Sequence, residues 1–305
     1  MFRVLALCSL EDIISGRSYT VTSGDFSILD CSFQRFGTFV GNGGVMYCVG
    51  AKNSNISNCI FYNISVSGEG GAIYCDGGNG NVCINGVCAE ICSCTERGHF
   101  AFIKNDNDDK HDLNRISVCM CAPSENIGIS SIYLCFGIQI VKSSNFSKNK
   151  AKLISTIYND WSAFYTGTYL TFVENQTPSA CHYSYGNGAS RTIGECNFIK
   201  NTSPSNTGII AINFGELSVT NVVLTKNNDT LFYSGSSMIV TSCFIDHQFT
   251  VFTGIITQSN NSLSQAPTHH LVHVYPNGCF ATFIQATSNH VYSWKCSFLL
   301  FSYVM

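Results

Sequence analysis

The acidic run NDNDDKHD, from Asn105 to Asp112, offers four carboxylates within a short stretch. Because hard cations favour clustered oxygen ligands, Ca²⁺ is the metal that Asp106, Asp108 and Asp109, together with Asp112, would bind. The run lacks the glycine and the distant bidentate glutamate of an EF-hand loop. A solvated loop tip is therefore the favoured interpretation, and the sequence assigns no metal ligand and no cofactor.

Cysteine spacing is the next chemical signal. One group has spacings of four, three and one residues, unlike the paired CxxC of a structural zinc site: Cys83, Cys88, Cys92 and Cys94. A second group recurs at one position of a repeated unit and is predicted to pack in the core, since a free buried thiol behaves as a small hydrophobe: Cys31, Cys59, Cys196, Cys243 and Cys296. Neighbouring units would also bring Cys31 and Cys59, or Cys48 and Cys75, within the Cα separation of a disulfide.

An enzymatic centre for sugar cleavage would need two or three carboxylates within about 5–10 Å, facing one groove. The carboxylates of the regular region fall at different phases of the repeat: Asp160, Glu174, Glu195, Glu216 and Asp229. Seven histidines likewise share no phase: His99, His182, His247, His269, His270, His273 and His290. No Ser or Cys pairs with a His at an interpretable spacing, and no phosphate-binding glycine motif is present. The sequence therefore predicts that the chain is not an enzyme and assigns no catalytic or cofactor-binding residue.

The elements that would position a site are predicted from a repeat. Four similar segments between Ser143 and Asn228 recur every 26 residues: SNFSKN, LTFVEN, CNFIKN and VVLTKN. A fixed period of this length is typical of a solenoid. Apolar or small residues at i and i+2 lie on one face of a strand, whereas a helix would repeat them at i+3 and i+4. The predicted strands stack at roughly 4.8 Å and form an internal column: Phe146, Phe172, Phe198 and Leu224.

Two polar columns accompany the aromatic one. Asparagines end the segments, where they tolerate left-handed backbone and can form an amide ladder: Asn149, Asn175, Asn201 and Asn227. The residues just before them are charged and predict a solvent-facing column with weak charge pairing: Lys148, Glu174, Lys200 and Lys226.

A second strand in each turn follows a double glycine, in GGVMYC (Gly43–Cys48) and GGAIYC (Gly70–Cys75). The glycines are predicted to lie at a corner, where a missing Cβ permits unusual backbone angles. The repeat blurs over residues 76–135, which hold seven cysteines and the acidic run. We expect that stretch to be a less regular loop excursion from the coil. The strand-like CSF (Cys296–Phe298) so close to the last residue indicates ends that are truncated within a rung.

Composition limits the class of protein. Charged residues make up 11% of the chain and aromatic residues 12%, which excludes disorder. A net charge of -3 with scattered Lys and Arg argues against nucleic acid, and no apolar run reaches the roughly 18 residues of a membrane span. Seventeen cysteines favour an oxidising compartment. Seven Asn-x-Ser/Thr sequons, a small excess over chance, favour secretion weakly: Asn55, Asn63, Asn145, Asn175, Asn201, Asn228 and Asn260.

The pairing of a GGAI element (Gly70–Ile73, with a looser copy at Gly43–Met46) with FxxN elements ending at Asn149, Asn175 and Asn201 resembles two repeat families. These are the chlamydial polymorphic outer-membrane proteins and the related β-helix surface proteins of trichomonad protists. The resemblance implies a right-handed parallel β-helix displayed on a cell surface, with adhesion as its activity.

The fold class predicted from the sequence is all-β, a single-stranded right-handed parallel β-helix of about 26 residues per rung, with one domain over residues 1–305. The predicted function is a non-enzymatic interaction or adhesion protein, a glycoprotein at the cell surface or secreted. Its expected partner is a host or neighbouring-cell surface protein or polysaccharide, bound through residues 105–112 or a lateral face. The alternatives are a pectate-lyase-like polysaccharide lyase or hydrolase, and a fragment of a variable surface-protein family.

Overall fold

A computed structural model of the chain describes residues 3–7, 13–15, 18–34, 38–78, 80–186, 190–203, 207–228, 230–246, 251–252, 254–262, 284–286 and 291–293. All of its regular elements in these ranges are strands. In chain order the strands are β1 Arg3–Leu7, β2 Ile13–Ser15, β3 Tyr19–Val21, β4 Asp25–Leu29, β5 Ser32–Gln34, β6 Thr38–Phe39, β7 Met46–Val49, β8 Asn53–Ser57, β9 Ile60–Tyr62, β10 Ser65–Val66, β11 Ile73–Gly78, β12 Asn81–Glu90, β13 Ser93–Cys94, β14 Ala101–Asn105, β15 Lys110–Cys119, β16 Ile132–Cys135, β17 Ile138–Lys142, β18 Asn145–Ser147, β19 Ile154–Asp160, β20 Phe164–Thr168, β21 Thr171–Val173, β22 Ala180–Tyr185, β23 Ser190–Gly194, β24 Asn197–Ile199, β25 Ile210–Ile212, β26 Glu216–Thr220, β27 Val223–Thr225, β28 Phe232–Ser234, β29 Ser237–Thr241, β30 Phe244–Ile245, β31 Val251–Phe252, β32 Ile255–Ser259, β33 Ile284–Ala286 and β34 Val291–Ser293.

The strands form a parallel β-helix with about 27 residues per turn, as the sequence predicts. Three faces surround the core. Face 1 is a ten-stranded sheet: β3, β7, β11, β14, β16, β19, β22, β25, β28 and β31. Face 2 and face 3 together make a 19-stranded sheet, because β12 and β15 bend through the corner between them. Face 2 contains β1, β4, β8, the first halves of β12 and β15, β17, β20, β23, β26, β29 and β32, and face 3 contains β2, β5, β9, the second halves of β12 and β15, β18, β21, β24, β27 and β30.

Two small groups of strands lie outside these faces. β6, β10 and β13 form a short parallel sheet between face 3 and face 1. β33 and β34 form an antiparallel pair.

The phenylalanine column predicted from the 26-residue repeat is confirmed. Phe146, Phe172 and Phe198 occupy one register on face 3 and are fully buried. The ring centroids of Phe146 and Phe172 are 5.2 Å apart, and those of Phe172 and Phe198 are 4.3 Å apart. Because each ring buries a large apolar area against its neighbours along the axis, the stack supports itself turn by turn.

The asparagine ladder is also confirmed. Asn149 Nδ2 donates to Asn175 Oδ1 at 3.1 Å, and Asn175 Nδ2 donates to Asn201 Oδ1 at 2.9 Å. The left-handed backbone that the sequence assigned to these asparagines belongs to the residues before them, for example Lys200 at φ 53° and Lys226 at φ 54°. This is a correction with a simple cause: turning the backbone one residue earlier lets the asparagine point inward, where its amide meets the next one.

Residues 76–135 differ from the expected irregular excursion. β12 pairs in register with β8 and β15, and β14 pairs with β11 and β16. The turn is longer here: partners are 28 residues apart near Asn53 and 29 near Lys110, against 26 near Lys200. A strict period of 26 residues therefore does not align these longer turns with one another. In the described part of this stretch, the connections of four or more residues between strands are 95–100, 106–109 and 120–131.

The double glycines lie at the corner that leads into face 1. Gly70 has φ +62°, and a Cβ there would lie 2.1 Å from the carbonyl oxygen of Ile73. A Cβ on Gly71 would lie 1.9 Å from the carbonyl oxygen of His99. Any side chain at either position would therefore collide with backbone, which explains the GG pair in steric terms.

Candidate functional site

A column of stacked aromatic side chains covers the outer surface of face 1. Its members share one register: Tyr47, Tyr74, Phe102, Tyr133, Tyr158 and Tyr183. Centroids of successive rings lie between 4.8 and 5.5 Å apart. The Arg97 guanidinium carbon lies 4.9 Å from the centroid of Phe102 and 5.2 Å from that of Tyr133, in cation–π contact. The column is thus a firm support for the side chains beside it.

A polar column runs parallel to the aromatic one, two residues further along each strand. It contains, in register, Asp76, Lys104, Cys135, Asp160 and Tyr185. Lys104 Nζ lies 3.3 Å from Asp76 Oδ1. The Tyr133 hydroxyl donates a hydrogen bond of 2.5 Å to Asp160 Oδ2. Aromatic and charged groups from successive turns therefore meet on one surface.

Two carboxyl groups on this surface bind protons more tightly than usual. Burial raises the pKa of Asp160, while the Tyr133 hydroxyl and the Arg97 guanidinium oppose that rise. Burial also raises the pKa of Glu69, against the opposing charge of Arg97. Carboxyl groups with perturbed pKa values occur both in structural networks and at functional sites. Their presence makes this surface a candidate site but assigns no reaction to it.

An open cleft of about 310 Å³ lies at the corner where face 1 turns into face 2. It forms because β14 ends at Asn105 and the chain makes an outward turn before β15 begins at Lys110. The residues that line it come from the polar column and from the acidic run: Asp76, Lys104, Asn105, Asp106, Asn107 and Phe136. The cleft thus brings the start of the acidic run beside an ion pair and an aromatic ring.

Asn105 lies at the floor of the cleft and points inward. Its side chain is buried, and its Nδ2 donates to the carbonyl oxygen of Gly80 at 2.6 Å. Its Oδ1 is buried and has no hydrogen-bond partner among the residues that the structure describes. A buried acceptor left unpaired costs about 1–3 kcal/mol.

The acidic run itself is divided between a turn and a strand. Asp109 Oδ2 accepts a hydrogen bond of 2.8 Å from the backbone nitrogen of Gly80. Asp112 lies in β15 and pairs with Lys110, whose Nζ is 2.6 Å from its carboxylate. Within the described ranges, no three His, Cys, Asp or Glu side chains are grouped in a way that could hold a metal ion.

A second part of the same surface is an exposed aromatic edge. We call it the aromatic corner, defined by Phe136, Trp161, Tyr185 and Phe214. Trp161 is 45% exposed and Phe214 41% exposed. The Tyr185 ring lies 5.6 Å from that of Trp161 and 5.2 Å from that of Phe214, edge-on to both. Phe136 lines the cleft and belongs to the corner, so the two features are continuous.

The two disulfide bonds considered between neighbouring turns, Cys31–Cys59 and Cys48–Cys75, do not form. Cys48, Cys59 and Cys75 are free and buried, so neither proposed bridge between neighbouring turns exists. Cys31 and Cys88 each belong to a disulfide bond. The core role is confirmed for the column members that the structure describes: Cys31, Cys59, Cys196 and Cys243 lie in the main hydrophobic cluster. Cys296 lies outside the described residues. Burial raises the pKa of Cys59 to about 12, which keeps this thiol protonated and unreactive.

The candidate catalytic residues are dispersed. Glu174 and Glu195 lie at corners of the coil and Glu216 begins a strand of face 2, whereas Asp160 lies on face 1. His99 and His182 are buried in the coil. The remaining predicted positions lie outside the described residues: Asp229, His247, His269, His270, His273 and His290.

The seven sequons differ in exposure, and Asn55 and Asn63 are half-buried. Asn145, Asn175 and Asn201 are buried, and the last two belong to the amide ladder. Asn228 and Asn260 are exposed. Several matches to the glycosylation pattern therefore reflect the structural role of asparagine.

Sequence reasoning missed the polar column and the aromatic corner. The signal was present as an aromatic residue followed two positions later by the polar-column residue, as in Tyr74 and Asp76 or Tyr158 and Asp160. The double glycine that marks these strands in GGVMYC and GGAIYC is absent from most turns, so this spacing does not stand out as a repeat.

No protein-family model, curated protein or solved structure matches this chain. In the described part of the chain, no helix has the length and apolarity that crossing a membrane requires.

Proposed function

We propose that the chain is a non-enzymatic interaction protein of the cell surface or the extracellular space, and that it binds its partner through the cleft and the adjoining outer surface of face 1. The observation that carries the proposal is an open cleft, lined by the Lys104–Asp76 ion pair, beside the exposed rings of Trp161 and Phe214. Accessible space bordered by charged groups and exposed aromatic rings is suited to receive a ligand.

The rigidity of the surroundings supports binding. Lys104 and Asn105 end a strand paired on both sides, and the aromatic column holds the neighbouring turns in place. Binding groups held by regular elements lose little freedom when they meet a partner. A solenoid also presents a long lateral surface, and its connections vary without disturbing the stack.

An extracellular location is consistent with the disulfide-bonded Cys31 and Cys88, because disulfides persist in oxidising compartments. The exposed sequons at Asn228 and Asn260 are accessible positions for glycans. The GGAI and FxxN elements, which resemble those of adhesive surface β-helices, extend the proposal to adhesion. Weak binding by one copy would then be strengthened by display of many copies.

Catalysis is a second candidate because Asp160, with its raised pKa, accepts a hydrogen bond from Tyr133 on this surface. The other carboxylate of the polar column, Asp76, is three strands away, roughly 14 Å at the usual strand spacing. Glycosidic cleavage uses carboxyl groups about 5–10 Å apart. Within the polar column no pair of carboxylates has this spacing, which supports binding as the first candidate.

The test compares two ion pairs of matched geometry. Lys104 and Asp76 line the cleft, while Lys200 and Glu174 lie at the far edge of face 3, with nearly the same Nζ–oxygen separation and exposure. Beads coated with the chain are incubated with a panel of cultured cells and with extracellular-matrix extracts. We expect the double variant Lys104→Ala/Asp76→Ala to lose at least about tenfold in binding, and Lys200→Ala/Glu174→Ala to bind like the parent chain.

Equal binding by both variants would show that the partner does not bind in the cleft and would contradict that part of the proposal. The same beads are also incubated with polygalacturonate and with neutral polysaccharides, and released reducing or unsaturated ends are measured. Sugar release that disappears in Asp160→Asn would establish the catalytic candidate instead.

A further inference from the structure

We propose that the ligand of this surface is an uncharged glycan chain that lies along the helix axis, with its hydroxyl groups in the cleft and its sugar rings stacked on the aromatic corner. The inference rests on the proposed binding function and specifies its ligand. Three features of the surface support it: ring exposure, the polar lining of the cleft and charge.

Ring exposure is the first feature. Trp161 and Phe214 remain more than two-fifths exposed although their turns are otherwise well packed. Large rings exposed in a row on a rigid protein are typical of ligand-binding surfaces. Because the two rings are two turns apart, their separation along the axis is roughly 10 Å. An extended glycan repeats its ring orientation on a comparable length, so alternate sugars can meet successive platforms.

Tyr185 fixes the orientation of these platforms. Its ring makes interplanar angles of 73° with Trp161 and 87° with Phe214. Edge-to-face contacts of this kind are favourable for aromatic pairs. Tyr185 therefore supports both neighbours, and the rings are oriented before a ligand arrives.

Polar groups are the second feature. The cleft is lined by the charged side chains of Asp76, Lys104 and Asp106, which can exchange hydrogen bonds with hydroxyl groups. A glycan supplies hydroxyl donors together with apolar C–H faces, which is the combination that the cleft and the corner require. A purely apolar ligand would remove water from the charged groups of the cleft without forming hydrogen bonds to them.

Charge is the third feature. Lys104 and Lys110 each form an ion pair with an aspartate, Asp76 and Asp112 respectively. The turn beyond the cleft adds further carboxylates at Asp106, Asp108 and Asp109, and Asp160 lies on the same face. The surface therefore carries excess negative charge and repels polyanions. This selects uncharged glycans over acidic ones such as polygalacturonate.

The full chain is titrated by calorimetry with three hexasaccharides: cellohexaose, chitohexaose and hexagalacturonate. We expect at least one uncharged hexamer to bind and hexagalacturonate to bind at least about tenfold more weakly. Trp161→Ala and Phe214→Ala should each raise Kd about tenfold or more, since exposed aromatic anchors dominate such interfaces. Tyr169→Ala is the matched control, because Tyr169 is 47% exposed in the same turn as Trp161 but lies at the corner between face 2 and face 3.

The inference is overturned if neither uncharged hexamer binds, if hexagalacturonate binds more tightly, or if Trp161→Ala and Tyr169→Ala behave alike. Sedimentation velocity tests whether a second copy of the chain occupies the aromatic corner. Self-association that Trp161→Ala abolishes would assign the corner to that second copy and would also overturn the inference. Bead binding that depends on Lys104 and Asp76, combined with no glycan binding, would leave the proposed function standing and remove only its ligand. Glycan binding without any capture of cells or matrix would support the glycan as ligand and contradict the proposed function.

Discussion

His111 points into the core of the coil from β15, with neither ring nitrogen hydrogen-bonded to any residue that the structure describes. Burial lowers the pKa of His111 to about 3, and burial with the nearby charge of Arg191 lowers that of His182 to about 3. Burial lowers the pKa of His99 to about 4. All three histidines are therefore neutral in the folded chain at neutral pH.

These depressed pKa values predict acid sensitivity. Above about pH 6.5 both folded and unfolded histidines are neutral, so no stability is lost. As the pH falls below 6.5, the unfolded chain takes up protons that the folded chain cannot bind until pH 3–4. Stability therefore falls on acidification, by about 2 kcal/mol for each such histidine at pH 5. The carboxyl groups whose pKa is raised, Asp160 and Glu69, act in the opposite direction.

The variant His111→Leu isolates one histidine. We expect the drop in unfolding free energy between pH 7.5 and pH 5.0, measured by urea titration, to shrink by about 2 kcal/mol. Gln139→Leu is the control, because Gln139 follows His111 in the same inward column and does not titrate. An unchanged pH dependence in His111→Leu would mean that this ring reaches solvent or a partner.

At the scale of elements, the face 3 strands were predictable because three signals coincide: aromatic, asparagine and charge at fixed offsets. Face 1 was only partly predictable. The outer side of its strands is covered by other side chains, such as Arg97 over Tyr133 of the next turn, so apolar residues occupy outward as well as inward positions. The length of one turn of the coil also varies, from 29 residues near Lys110 to 18 near Ser259, so the face 1 strands share no common period.

The element-level prediction concerns Phe172, the middle ring of the confirmed column. Phe172→Ala should lower the free energy of unfolding by about 3–5 kcal/mol, because the cavity opens between two rings that the stack cannot close. Lys200→Ala should cost under about 1 kcal/mol, because its pairing with Glu174 is exposed. Chemical denaturation of both variants measures the difference, and similar losses would contradict the assigned register.

At the scale of the whole molecule, the coil turns short strands into continuous columns along its axis. The aromatic column, the polar column and the aromatic corner are each built from one residue per turn, so the surface grows as turns are added. The fold class followed from the repeat alone. The cleft did not, because its walls come from residues such as Asp76 and Phe136, whose proximity depends on the register of turns that the sequence left blurred.

Hydroxyl-radical footprinting of the chain, free and bound to the cell membranes or matrix fraction that it captures best, tests the location of binding most directly. Oxidation at Phe136, Trp161 and Phe214 should fall at least about threefold on binding, as expected for exposed rings that a partner buries, while Tyr169 stays unchanged. Protection of Tyr169 with continued oxidation of the aromatic corner would place the partner elsewhere on the coil and contradict the account.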